Sequence, residues 1–253
     1  MAERSSYAPG TPSWVDLTTP DLQGALQFYG GLFGWEFEDA GEAAGHYHQA
    51  LLGGKRVAGI GPNPPGSQPV AFWSTYFSGA DVDAVAKAIT DAGGSVTFGP
   101  TEVMDQGRML VGKDPADAMF GVWEPRAHAG AQLVNEHAAF SWNELIGRDL
   151  EGSTRFYGTV FGLAFDDLRD DVPYKLAKLG DDVVAGISGM GGELPPHWLT
   201  YFMHDEVDAG FEKARELGGE IVGDVVDSQF GRYARVRDPQ GAVFGLISSR
   251  GPA

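Results

Sequence analysis

Trp14-Val15-Asp16-Leu17, followed by Phe28-Tyr29 and Phe33-Gly34, returns in the second half of the chain as Trp142-Asn143-Glu144-Leu145, Phe156-Tyr157 and Phe161-Gly162. Working outward, Val57-Ala58-Gly59-Ile60 reappears as Val184-Ala185-Gly186-Ile187, and Trp73 with Tyr76-Phe77 as Trp198 with Tyr201-Phe202. Gly107-Arg108, Asp114-Pro115 and Phe120-Gly121 reappear as Gly231-Arg232, Asp238-Pro239 and Phe244-Gly245. The chain is therefore two homologous halves of about 125 residues each, and any site in one half has a counterpart in the other.

Each half repeats internally as well. Ser13 to Thr18 alternates like a strand, and Thr19-Pro20-Asp21 supplies an N-cap, a proline for the first helical position and an acid for the first turn. Leu22, Ala25, Leu26, Tyr29, Leu32 and Phe33 recur at helical spacing up to the stop at Gly34. Short strands follow near 35–38, 46–52 and 56–61. A second strand and helix then begin at Val70 and Asp81, with Gly93-Gly94 at the helix end. Strands near 95–104, 107–113 and 118–124 complete the unit, the last two joined at Asp114-Pro115. The predicted architecture is α+β, with four βαβββ units paired into two incompletely closed eight-stranded cups. The predicted boundaries are 10–125 for the first half, 126–137 for a linker and 138–250 for the second half. A shorter connection is expected at Met190–Pro196.

Composition removes several functions. The 253 residues carry a net charge of −17, which repels phosphate backbones and anionic lipid, and no basic patch stands out. Nucleic-acid and membrane partners are not expected. No apolar run is long enough to span a bilayer and the N-terminal residues lack a signal-peptide core, so the predicted compartment is the cytoplasm. Without cysteine there is no thiolate nucleophile and no sulfur-ligated metal.

The Trp-x-Asp/Glu-Leu, Phe-Tyr…Phe-Gly and Asp-Pro…Phe-Gly pattern resembles the vicinal oxygen chelate superfamily, also called glyoxalase/bleomycin-resistance/dioxygenase. The resemblance covers nearly the whole chain. It implies cups that bind a small molecule, usually with a divalent metal held from the first, fifth and last strands. Carried onto this sequence, those positions fall on Trp14, Ser74 and Gly121 in the first cup, and on Trp142, Leu199 and Gly245 in the second. None is a strong divalent-metal ligand. The residues predict no metal and no cofactor.

Two roles stay open for the tryptophans. An inward indole facing an inward glycine gives a flat wall with room for a planar ligand; alternatively Trp14 and Trp142 plug the vacated space. Strand alternation turns Asp16 and Glu144 inward with them, as acceptors for ligand hydroxyls, as general bases with raised pKa, or as carboxylates held in place structurally. Tyr76 and Tyr201 point inward on the fifth strand, joined in the second copy by His197 and Met203, and Trp123 completes the candidate lining. His46 and His48 share a strand face at i, i+2, but their counterparts are Pro173 and Lys175, so they are read as exposed or rim histidines. His128 and His137 are read as solvated linker residues.

The predicted function is metal-independent binding or sequestering of a planar, largely apolar small molecule by a monomer. By resemblance alone, a regulatory role with a kinase partner is also implied. The alternatives are a metal-free lyase, cyclase or isomerase using Glu144 or Asp16, and a glyoxalase- or dioxygenase-like metalloenzyme with relocated ligands. The second cup, with the longer carboxylate, is the stronger candidate site.

Overall fold

The computed structural model describes residues 2–248; residues 249 and 250 of the expected second half lie outside them. In the first half the strands are β1 (Pro12–Thr19), β2 (Glu36–Asp39), β3 (His48–Leu52), β4 (Lys55–Pro62), β5 (Phe72–Ser78), β6 (Ser95–Val103), β7 (Gly107–Lys113) and β8 (Met119–Pro125). Helix α1 (Leu22–Phe33) follows β1 and α2 (Val82–Asp91) follows β5. The second half repeats this with β9 (Phe140–Ile146), β10 (Ala164–Arg169), β11 (Val172–Leu179), β12 (Asp182–Ser188), β13 (His197–Met203), β14 (Glu220–Ser228), β15 (Gly231–Arg237) and β16 (Val243–Ile247). Helices α3 (Leu150–Phe161) and α4 (Val207–Glu216) take the corresponding places.

Each half makes its own eight-stranded mixed sheet. The orders are β2-β3-β4-β1-β5-β8-β7-β6 and β10-β11-β12-β9-β13-β16-β15-β14, so each strand has its twin eight places on. The predicted pair of cups is what forms. Residues 126–137 are not featureless, since Leu133–Val134 pairs antiparallel with Ala2–Glu3. Among the described residues no helix is long and apolar enough to cross a membrane.

The helix starts differ from expectation in one detail. Asp21, not Thr19, caps α1: its Oδ1 accepts the Gly24 amide at 3.0 Å, leaving Pro20 outside the helix. A carboxylate directly before the first turn reaches that free amide, whereas the Thr19 hydroxyl is used two residues on by the Asp21 amide at 3.3 Å. Asp149 repeats the arrangement with Gly152 at 2.9 Å. Gly34 and Gly162 close the helices in the left-handed region, at φ 70° and 71°.

The cores lie at the seam, and both mix the two halves. Tyr29, Phe33, Trp35 and Trp73 pack with Phe202, Phe211 and Phe244; Phe77, Leu110 and Phe120 pack with Phe156, Phe161 and Trp198. Phe77 and Phe161 stack at 4.5 Å. Through this apolar layer run two reciprocal polar chains. Trp73 Nε1 donates to Tyr29 Oη, and Tyr29 donates to Asp238 Oδ2 of the other half, both at 2.9 Å. Likewise Trp198 donates to Tyr157 at 2.9 Å, and Tyr157 to Asp114 at 3.1 Å. Each Asp-Pro turn thus holds a helix of the opposite half. The other oxygen of each aspartate accepts the amides of its own turn, Ala116 and Ala118 or Gln240 and Ala242, so the buried carboxylates are satisfied. Between the cores, Asn143 Oδ1 accepts from Thr75 at 2.8 Å and from Thr200 at 3.0 Å.

Candidate functional site

Alternation on a strand sends every second side chain to the concave face. The pairings set Trp14 beside Tyr76, and Asp16 between Gly59 and Ser74. In the second cup Trp142 lies beside Tyr201, and Glu144 between Gly186 and Leu199. Carboxylate, tyrosine and tryptophan are therefore brought together in both cups.

The room expected between each tryptophan and its facing glycine is taken. A Cβ on Gly121 would stand 2.1 Å from the Tyr76 ring, and one on Gly245 would stand 2.0 Å from the Tyr201 ring. These glycines exist because tyrosine rings lie across them. A second tyrosine, which the sequence reading missed, does the same from the other side. The Tyr47 hydroxyl covers Gly59 and the Tyr174 hydroxyl covers Gly186, where Cβ atoms would meet them at 1.7 and 1.9 Å. The available signal was a glycine in the middle of a buried strand, repeated in both copies.

These tyrosines organise the polar groups. Trp14 Nε1 donates to Tyr47 Oη at 2.9 Å, and Tyr47 points its own hydroxyl at Asp16 Oδ2 at 3.4 Å. Tyr76 and Ser74 also hydrogen-bond Asp16. In the second cup Trp142 donates to Tyr174 at 3.0 Å, and Tyr201 donates to Glu144 Oε2 at 2.8 Å. Burial pushes Asp16 up to about 6 against the lowering effect of its donors. Burial likewise raises Glu144, opposed by Tyr201, Arg235 and Tyr174. The same burial holds the tyrosine hydroxyls protonated, so they remain donors. A carboxylate so held keeps lone pairs for a ligand hydroxyl and takes a proton at higher pH than a free carboxyl does.

The cups differ in where they open. In the first, the Trp14 end is shut by the linker: the His128 ring stands edge-on against Trp14 at 4.4 Å, and its carbonyl accepts from Trp123 Nε1 at 2.8 Å. His128 is thus buried, not solvated as expected, and burial drives its pKa down to about 4. Trp14 is 4% exposed and Trp123 7%. In the second cup the Trp142 end leads into a cavity of about 820 Å³ that contains Glu144, Tyr174, Tyr201 and Met203. There the opposite end is filled instead. Ile146 and Leu199, where the first cup has Thr18 and Ser74, are buried against Tyr201.

The histidines fall elsewhere. His197 does not join Glu144; it lines the wall of the first cup's opening, with Nδ1 on the Pro195 carbonyl at 2.8 Å. His46 lies in a turn at φ 59° and pairs with Asp39 at 2.9 Å, so only His48 is on β3 and the expected shared strand face does not form. His137 packs edge-on against His204 at 4.6 Å.

The model of the Glyoxalase/Bleomycin resistance protein/Dioxygenase superfamily matches residues 11–122 and again 136–246. The chain belongs to this superfamily. Among its relatives, "Putative glyoxylase CFP32" of Mycobacterium tuberculosis is 39% identical over 256 residues, covering 98% of both chains. "Anthracycline biosynthesis protein DnrV" of Streptomyces peucetius is 35% identical over 261 residues, covering 96% of this chain and 95% of the relative. The Mn(II)-bound glyoxalase from Novosphingobium aromaticivorans superposes with a TM-score of 0.67 at 16% identity, covering 95% of this chain and 82% of that one. The 2,3-dioxygenase LapB from Pseudomonas sp. KL28 gives 0.66 at 13% identity, covering 96% and 93%. At these identities the two structures share the fold.

The superfamily's usual metal does not fit the residues at its positions in this chain. Indole, serine, leucine and glycine occupy them, and the Tyr76 and Tyr201 rings fill the space in front of the glycines. Among the described residues no three His, Asp or Glu side chains are placed to hold a metal ion together.

Proposed function

We propose that the chain is a metal-independent small-molecule-binding member of the superfamily, whose second cup takes a flat, largely apolar aromatic ligand bearing hydroxyl or carbonyl groups. The observation that carries this reading is the cavity of about 820 Å³ lined by Trp142, Tyr174 and Glu144. Its size suits one polycyclic molecule, and its composition is aromatic and aliphatic with a few converging polar atoms. Met190 and Phe230, both more than half exposed, supply apolar contact at the mouth. The relatives named for anthracycline biosynthesis support a fused-ring hydroxylated ligand, since anthracyclines are of that class.

A second reading rests on the Glu144 carboxyl, raised by burial and held at 2.8 Å by Tyr201. Such a group can move a proton on the bound ligand, Glu144 as base and the Tyr201 hydroxyl as donor to a developing oxyanion. That chemistry belongs to lyases, cyclases and isomerases.

Quinizarin, a dihydroxylated anthraquinone, is a suitable probe, titrated by fluorescence into wild type, Trp142→Ala and Glu144→Gln. Loss of the indole is expected to weaken binding by about 1–3 kcal/mol with folding intact. Prior treatment with chelator should leave both affinity and thermal midpoint unchanged, because a ligand that binds only the folded state would raise the midpoint and its removal would lower it. Unaltered affinity in Trp142→Ala, or stoichiometric transition metal whose removal abolishes binding, overturns the reading.

A further inference from the structure

The first cup, shut at its Trp14 end, opens at the other end onto the second half of the chain. We infer that this opening is a second small-molecule site, built across the seam between the halves, for a neutral and largely apolar molecule with one hydrogen-bond donor. It is independent of the second-cup site.

Three observations converge on it. The opening encloses about 850 Å³, with Phe72, Phe98, Met109 and Met119 from the first half and His197 and Val243 from the second among its walls. Both halves are needed to make it. The lip is apolar, with Phe98 56%, Met119 45% and Phe72 38% exposed, a concentration of unburied hydrophobic surface that a bound apolar molecule would cover. Finally, one wall holds an unsatisfied acceptor. Asn63 spends its Nδ2 on the Val70 carbonyl at 2.8 Å, while its Oδ1 is buried with no hydrogen-bond partner. A buried acceptor left unpaired costs stability; Oδ1 lies behind the lining, and a rotation of the Asn63 amide toward the opening would let a ligand O–H or N–H recover that cost.

Charge selects against anions. The wall contains no lysine or arginine, whereas Asp117 is part of it, and the chain as a whole carries −17. A carboxylate or phosphate entering would find no lysine or arginine to pair with, and would meet the Asp117 carboxylate. The corresponding end of the second cup is filled. Where the first cup has Thr18 and Ser74, the second has Ile146 and Leu199, both at most 2% exposed and packed into its floor. The duplicated cups are thus open at opposite ends, and each is closed where the other is accessible.

The test is calorimetric titration of the full chain with 1-naphthol, neutral with one O–H, and with 1-naphthoate and 1-methoxynaphthalene. The variants are Phe98→Asp, Met119→Asp and Trp142→Ala. Phe98 and Met119 are exposed, so their variants should keep the wild-type thermal midpoint, and either suffices if the other does not fold. Either aspartate is expected to weaken 1-naphthol at one site by about tenfold or more, equivalent to the free energy of one well-placed apolar contact. Trp142→Ala should leave that site unchanged, which separates it from the second cup. 1-Naphthoate should not occupy it, and 1-methoxynaphthalene should bind it more weakly for want of a donor. Binding of 1-naphthol that survives both aspartate variants, equal occupancy by 1-naphthoate, or no second site up to the solubility limit overturns the inference.

Discussion

Replacing Gly245 with alanine puts a methyl group where the Tyr201 ring already lies. The added Cβ would stand 2.0 Å from Tyr201 Cδ1, 2.4 Å from Cε1 and 2.5 Å from Cγ. Ordinary carbon contacts are about 3.5–4.0 Å, so the ring must move by well over an ångström. It has little freedom to do so, being 5% exposed and tied through its hydroxyl to Glu144 at 2.8 Å. Overpacking of this kind costs about 1–3 kcal/mol. If the ring swings far enough to release Glu144, a further loss of about 1.5–3 kcal/mol follows, as for hydrogen bonds to charged groups. The expected total for Gly245→Ala is therefore about 2.5–6 kcal/mol. The backbone is not the cause, because Gly245 lies outside the left-handed region. Urea unfolding followed by tryptophan fluorescence and circular dichroism measures the loss as a shift in midpoint at constant slope. Tyr201→Ala in the same background supplies the control: with the ring gone the methyl group fits, and the double variant should be more stable than the sum of the singles predicts, by about 2 kcal/mol. A Gly245→Ala protein within 0.5 kcal/mol of wild type, the usual scatter for a harmless substitution, or strict additivity with Tyr201→Ala, would refute the claim that the tyrosine ring fills the space in front of Gly245.

Asp16 makes stability depend on pH in a stated direction. Its folded pKa of about 6 lies above the usual 3.8, so the folded state holds the proton more tightly and stability falls as pH rises from about 4 to about 6. Asp16→Asn should therefore gain on wild type between pH 4.5 and pH 7, by about 2 kcal/mol at about 1.4 kcal/mol per unit; equal denaturation differences at the two pH values count against it. His128→Ala should cost about 2–4 kcal/mol, as for other large-to-small core changes, and open the Trp14 end of the first cup. Acrylamide quenching, read as the difference between His128→Ala and His128→Ala/Trp14→Phe, should then report an accessible indole, and an unchanged signal would mean that another group closes that end.

Much of the architecture was legible because the chain states its pattern twice. The recurrence of Trp14 to Phe33 as Trp142 to Phe161, with turns at Asp114 and Asp238, fixes two sheets of the same order. The side-chain types at the strand positions where the superfamily usually places its ligands were equally readable. The way these positions are filled was not. Tyr47 lies just before β3 in a turn, and nothing in its neighbours says that its hydroxyl reaches back over Gly59 to Trp14. His128 sits in a stretch of alanine and glycine whose composition suggests solvent, and its burial depends on how the linker folds over the first cup. Asp114 and Asp238 were recognisable as turn residues; that each serves the opposite half is a property of packing between the halves, which strand and helix periodicity does not encode.

The reciprocal chains Trp73–Tyr29–Asp238 and Trp198–Tyr157–Asp114 also bear on how a duplicated gene can drift. Every member of one chain has the identical residue in the other, as if the seam had been copied and then frozen, because a change in either copy is felt in the core of both. The concave faces carry no such tie. There Ser74 has become Leu199 or the reverse, Gln49 stands against Leu176, and Val111 against Arg235. Selection could thus remodel each cup for its own cargo while the fused pair went on folding as one body, a division of labour that a symmetric dimer of one cup, with every substitution made twice, has no means to reach.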